Sequence, residues 1–256
     1  MLTSTKTIVQ VTCSILFLVL SEHPSFSEMI ISEQTSSEDP IIQEQFQPGT
    51  GLPVGKIQSV RGDVFITHRD PAVRYRAKTG FPLYQGDTII AQENARILGR
   101  LIDGSQFTLT PLTTLTIIYS NFNSTRKTSV SFLFLKRGGA RFRVKGSIEL
   151  SSYEFKVQSE TAFVATKHAD FIVKAQAEIT EIITLNESRL DVTGMAEPEE
   201  VTFLSNFQRV VIGKGLQPPA VENIPPEEAN ALTAEFRLLP LSNVFASSAE
   251  KYHSND

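Results

Sequence analysis

Gly86-Asp87-Thr88-Ile89-Ile90-Ala91 and Asp103-Gly104-Ser105-Gln106-Phe107-Thr108-Leu109-Thr110 decide the fold class of this 256-residue chain. In the second stretch Phe107 and Leu109 fall on one side of an extended chain and Gln106, Thr108 and Thr110 on the other. Strand side chains alternate faces with a period of two, so this is a half-buried β-strand entered through a tight Asp-Gly turn. Thr114-Leu115-Thr116-Ile117 repeats the alternation. None of these residues forms a reactive constellation; the pattern is that of a scaffold.

Working outward, the same grammar recurs. Val54 to Val60 reads as a strand, Arg61-Gly62-Asp63 as a turn and Val64-Phe65-Ile66-Thr67 as the returning strand. His68 to Thr79 is charged and loop-like, and Ala95 to Ile102 is a strand closed by Asp103-Gly104. Val130 to Leu135 is apolar on both faces, as a central strand covered on both sides would be. Lys136-Arg137-Gly138-Gly139 is expected to end it in a turn, with two glycines free to take positive φ. Strands then follow at Ala140 to Val144, Phe155 to Val157, Phe171 to Val173, Ile179 to Leu185, Arg189 to Val192, Val201 to Leu204 and Gln208 to Ile212. Turn signals at this spacing predict an all-β sandwich, barrel or β-solenoid rather than an α/β domain. One helix is expected near the end, over 223–240: Pro225-Pro226 and Glu227-Glu228 suit a first turn, and Ala229, Leu232, Phe236 and Leu239 share a face.

The termini read differently. Lys6 precedes an apolar run from Ile8 to Leu20, and Ser25-Phe26-Ser27 suits a signal peptidase. The run falls short of the roughly 20 residues that cross a bilayer. Residues 1–27 are therefore read as a signal peptide, an uncleaved anchor being the alternative, and the protein as periplasmic or secreted with no transmembrane helix after cleavage. Residues 28–52 are rich in Glu, Ser, Gln and Pro and are expected to be a disordered leader. The β-domain is assigned to 53–222 and a disordered tail to 241–256. The single cysteine, Cys13, lies in the signal, so the mature chain has no disulfide, thiolate nucleophile or Cys-ligated metal. A net charge of −4 without a basic block argues against nucleic acid as a partner.

Candidate chemistry is thin. His68, His168 and His253 are isolated in sequence, which predicts surface histidines rather than a metal site. Asp63, Asp87 and Asp103 sit beside Gly62, Gly86 and Gly104, where aspartate caps backbone N–H groups; with Ser105, Gly138 and Gly139 they are read as structural turns. Asp170 stands apart, two residues from His168. Arg61-Gly62-Asp63 also matches a cell-adhesion tripeptide, but a tight hairpin selects the same residues. No nucleophile elbow surrounds Ser105. No catalytic, metal or cofactor residue is assigned. Lys136, Arg137, Arg141, Arg143 and Lys145 form a basic cluster, read as a solvated face or as an anionic docking surface.

The order of these pieces resembles the FecR-domain family, the periplasmic sensing parts of ferric-citrate-type signal regulators together with free-standing exported relatives. The matching stretches are Val60-Arg61-Gly62-Asp63-Val64, Leu83-Tyr84-Gln85-Gly86-Asp87-Thr88-Ile89, Ala95-Arg96-Ile97, Leu101 to Leu109 and Leu135-Lys136-Arg137-Gly138-Gly139-Ala140-Arg141-Phe142. Weaker matches lie at Phe155 to Ser159 and Leu185 to Val192, and coverage is roughly residues 54 to 215. The chain departs from the family pattern at His168-Ala169 and near Asn206. The resemblance implies an elongated antiparallel β-sandwich or short β-solenoid, without enzymatic activity, that binds a protein of the cell envelope such as a receptor's signalling domain. Neither the cytoplasmic anti-sigma segment nor the internal transmembrane helix of the full-length regulators is recognised, so this chain is not expected to relay a signal across the inner membrane alone. An envelope glycan or peptidoglycan is the second expected ligand, although the chain has no tryptophan and only five tyrosines. A hydrolase or lyase on a β-scaffold ranks last.

Overall fold

Alternating apolar residues and glycine-marked turns produce strands throughout the computed structural model, which describes residues 42–146, 150–215 and 220–238. The expected signal peptide, the leader up to residue 41 and the tail from 241 lie outside the described residues. The strands are β1 (Ile42–Gln43), β2 (Gly55–Arg61), β3 (Val64–Thr67), β4 (Arg74–Arg76), β5 (Pro82–Leu83), β6 (Thr88–Ala91), β7 (Arg96–Leu101), β8 (Gln106–Leu109) and β9 (Thr113–Asn123). They continue with β10 (Thr128–Lys145), β11 (Ser152–Gln158), β12 (Ala162–Thr166), β13 (His168–Ala175), β14 (Ile179–Thr184), β15 (Leu190–Gly194), β16 (Val201–Leu204), β17 (Gln208–Gly213) and β18 (Glu222–Asn223). A single short helix, α1 (Pro226–Leu232), runs into a 3₁₀ turn at Thr233–Phe236.

Two open sheets share one strand. The first runs β1-β4-β3-β6-β9-β10-β11-β12-β15-β16. The second runs β5-β2-β7-β8-β10-β13-β14-β17-β18. β10 belongs to both: its first half pairs with β9 and β11, its second with β8 and β13. The fold is all-β, open rather than a barrel. Two pairings depart from the antiparallel expectation, β1 with β4 and β10 with β11, both parallel. The second has a clear cause. After β10 has crossed into the second sheet, the chain returns to the first and restarts with Ser152 beside Thr128, completing one solenoid-like coil.

The core lies between the sheets. Leu115, Ile89 and Phe155 of the first sheet and Ile97, Phe107 and Phe142 of the second belong to one buried cluster, with the Phe142 and Phe155 rings 5.8 Å apart. Burial of each such side chain is worth about 1.5–3 kcal/mol. The inner face of β7 carries Gly99 because the Phe107 ring occupies its place: a Cβ there would lie 2.1 Å from Phe107 Cζ.

The Gly138–Gly139 expectation needs correction. These residues do not make a turn; β10 runs unbroken through them, with a register shift against β9 between Leu135 and Arg137. Gly138 takes φ +92° and presses against Thr113, whose Oγ1 lies 2.3 Å from where a Cβ would stand. The glycine bends a long strand from one sheet into the other instead of reversing it.

The outer face of the second sheet carries a smaller apolar cluster. Ile172 and Ile183, with Leu185 and Ile224, are covered by Ala229 and Phe236, and Leu232 packs alongside. Helix α1 thus docks by the face its sequence marks, Leu239 lying outside the described residues. Arg209 on β17 fastens it by reaching Glu228 at 2.6 Å, while also reaching Glu222 of β18 at 3.5 Å, and Lys174 on β13 reaches Glu235 at 3.2 Å. Residues 42–50 also depart from expectation. Although assigned to the disordered leader, they include β1 and Phe46, whose ring packs on Tyr75 and Phe81. Phe46, amid polar neighbours, finds its partners only in the folded sheet.

Candidate binding surfaces

Three aspartates at glycine turns have three different environments. Asp63 is exposed and pairs with Arg76 at 2.7 Å, while Gly62 before it takes φ +71°. Asp103 follows β7 and precedes Gly104, at φ +90°. Its Oδ1 accepts the Ser105 backbone N–H at 2.9 Å, and its Oδ2 accepts hydroxyls from Tyr153 at 2.9 Å and from Ser129 and Ser131 at 3.3 Å. Ser105 is buried, its hydroxyl 2.6 Å from that of Tyr153. This is an Asp-centred hydroxyl network joining the two sheets. Burial first, then the Asp103 charge, pushes the Tyr153 phenol well above its ordinary range, so it stays a donor.

Asp87 is buried, and its partner is His68: both side chains are only 1% exposed, with Nδ1 and Oδ1 2.5 Å apart. His68 is therefore not the surface histidine its sequence suggests. The stretch His68 to Thr79 is not all loop; it contains β4, and His68 opens it from the inside of the first sheet. Asp87 Oδ2 also accepts the Tyr84 backbone N–H at 2.8 Å. Burial raises the Asp87 carboxyl above the usual carboxylate range, although the His68 and Tyr84 hydrogen bonds oppose the rise. His168, by contrast, is half exposed, with Glu187 at 3.9 Å.

The basic stripe is less positive than its sequence suggests. Asp170 on β13 stands across from Arg143 and takes a bidentate pair from Arg141, at 2.8 and 2.7 Å, with Arg143 Nε 3.7 Å away. Lys136, Arg137 and Lys145 are exposed. The sequence did not reveal this because Asp170 is 29 residues from Arg141, and only the β10–β13 register brings them together.

β16 presents a surface where the sequence marks merely a strand. Among the described residues it pairs only with β15 and closes one end of the first sheet. Its outward side chains are large and apolar, Val201 46% and Phe203 72% exposed, while Leu204 faces the core. The exposed carboxylates of Glu197, Glu199 and Glu200 precede it. Inboard of Phe203 the registers place Asp191, then Ala165, then Lys156 across the outer face. There the small Ala165 helps to form an open groove of about 750 Å³, with Lys167, Arg189 and Glu187 on its rim. A second outward row carries Phe163, whose ring lies 6.2 Å from that of Phe132. Among the described residues no three His, Cys, Asp or Glu side chains converge to hold a metal ion. Nor is any helix among them long and apolar enough to cross a membrane.

Residues 87–188 match the family described as FecR protein. Two crystal structures of a candidate anti-sigma factor from Parabacteroides distasonis ATCC 8503, at 1.65 and 2.50 Å resolution, are similar to this chain. The first is 19% identical with a TM-score of 0.44, the alignment covering 57% of this chain and 63% of that one. The second is 18% identical with a TM-score of 0.45, covering 56% and 62%. The chain thus spans less than two thirds of the solved length of that protein. No curated protein matches it. The segment that matches the FecR family runs from the buried Asp87 through the Asp103 network and the sheet-switching β10 to Ser188.

Proposed function

We propose that the chain is a non-enzymatic regulatory module of the cell envelope, one that recognises a protein by adding a strand of that partner to β16. The observation that carries this reading is the character of that edge. One backbone side of β16 has no strand neighbour among the described residues, and Val201 and Phe203 project to solvent beside it. An open edge offers main-chain N–H and C=O groups for affinity, and alternate side chains for specificity. The FecR match supports a regulatory and sensing role. Export through residues 1–27, and hence a periplasmic or secreted location, belongs to the same proposal, as does a receptor's signalling domain as the partner.

The test is site-specific photo-crosslinking in envelope extract. A crosslinking residue at Phe203 should trap one dominant protein, and the same residue at Lys145 on the other sheet should not. Equal, diffuse labelling at both positions would refute edge recognition. A glycan is the second reading, favoured by the exposed ring of Tyr119 and the half-buried ring of Phe163 on the same sheet. Co-sedimentation with purified peptidoglycan that is abolished by Phe163→Ala would select it instead.

A further inference from the structure

Residues 42–50 form an arm that runs along the first sheet. β1 pairs with the outer edge of β4, Ile42 opposite Arg74 and Gln43 opposite Tyr75. Phe46 packs edge-on against Tyr75 at 5.1 Å and lies 6.2 Å from His68. Thr50 donates its N–H and its hydroxyl to the Asp70 carbonyl at 3.2 and 2.9 Å. Between these contacts, the Gln47 carbonyl lies 3.1 Å from His68 Nε2.

That last contact fixes the proton count at His68. A carbonyl oxygen only accepts, so Nε2 must carry hydrogen. The other ring nitrogen faces Asp87 Oδ1 at 2.5 Å, and a proton must lie between those two atoms as well. Either imidazolium with carboxylate, or neutral imidazole with carboxylic acid, satisfies both contacts. Each arrangement holds two protons. With one proton fewer, a nitrogen lone pair faces either the carboxylate or the Gln47 carbonyl, while both side chains of the pair are only 1% exposed.

The other titratable and charged groups around the pair do not replace that proton. Tyr75 on β4 and Tyr84 before the Asp87 turn flank the imidazole at 4.9 and 5.3 Å between ring centres. Burial, then the charge of Asp87, holds the Tyr75 phenol protonated far beyond its ordinary range. The aliphatic stem of Arg69 passes Gly86 at the turn, and Asp70 contributes its backbone carbonyl to the arm. Among the described residues, the arm brings the Gln47 carbonyl and the Phe46 ring to His68.

We propose that the His68–Asp87 pair is a proton-operated latch for residues 42–50. The arm stays docked while the pair holds two protons and lets go when the pair loses one. Release removes β1 from β4 and frees the backbone edge that it covers at Arg74 and Tyr75. The sign follows from linkage. The docked state binds the shared proton more tightly than the open state, so rising pH favours opening. One linked proton changes the docking equilibrium by at most about tenfold per pH unit.

The experiment is NMR on the full chain with ¹⁵N-labelled histidine, from about pH 5 to about pH 9, bracketing the ordinary imidazole range. Hydrogen-exchange protection is followed at the same time, for the arm and for β8. The latch predicts a protonated Nε2 wherever the arm amides are protected. It also predicts that arm protection falls with the titration of the pair while β8 stays protected. Phe46→Ala, which removes one ring beside His68 but leaves the pair's hydrogen-bonding groups in place, loosens the arm and should move that titration to lower pH. An unprotonated Nε2 under a docked arm would overturn the proposal. So would arm protection that changes only in step with β8, or a titration unmoved by Phe46→Ala.

Discussion

At the scale of single residues, Tyr153 shows how a buried donor ties the two sheets together. Its hydroxyl donates to Asp103 on the turn after β7 and meets Ser105, so Tyr153→Phe removes a charge-assisted hydrogen bond worth about 1.5–3 kcal/mol. The pH dependence follows from the raised phenol. Below the ordinary tyrosine value of about 10 the contribution is complete; above it the unfolded chain releases the proton while the folded chain keeps it. Stability is therefore lost as pH rises, with a limiting slope of about 1.4 kcal/mol per pH unit for this group. Urea unfolding between about pH 9 and about pH 11 should show a smaller slope for Tyr153→Phe than for the parent, the Tyr75 contribution remaining in both. Gly138 is constrained by space as well as by conformation. Gly138→Ala places a methyl group on Thr113 at φ +92° and should cost at least about 2 kcal/mol in the same assay, more than backbone preference alone.

At the scale of elements, β16 and α1 make opposite predictions. Phe203 is mostly solvent-exposed, so Phe203→Lys should leave stability within about 0.5 kcal/mol of the parent while abolishing the partner trapped by a crosslinking residue at Val201 on the same edge. A loss of stability well beyond that margin would mean that Phe203 supports the fold rather than recognition. Helix α1 is short and lacks a side-chain N-cap, so its own propensity cannot hold it. Phe236 is its buried anchor, beside Ile172 and Ile183. Phe236→Ala should destabilise the protein by about 3 kcal/mol, or release the helix alone. Hydrogen exchange distinguishes the two outcomes, since local release deprotects 226–236 and the outer face of β13 without affecting β8. The doubly apolar Ile172-Val173 and Ile182-Ile183 steps are explained by this helix: one residue of each step faces the sandwich interior and the other lies beneath α1.

At the scale of the whole molecule, stability rests on pairings between distant segments. β2 pairs with β7, β8 with β10 and β14 with β17, so few contacts are local. Such topologies fold slowly, because chain closure precedes the contacts that reward it. Folding in the range of milliseconds to seconds is expected by stopped-flow fluorescence of the tyrosines; microsecond folding would contradict this topology. Much of the architecture was legible in the chain itself. Phe107 and Leu109 announced an inner face, the Asp-Gly pairs announced turns, and Ala229 and Phe236 announced the docking face of the helix. These are local signals, set by side-chain period and backbone freedom over a few residues. The burial of His68, the neutralisation of Arg141 by Asp170, the passage of β10 through Gly138 and the open edge at β16 depend instead on register between segments remote in sequence. A strand's own residues specify which way each side chain points, but only its neighbours determine what it meets there.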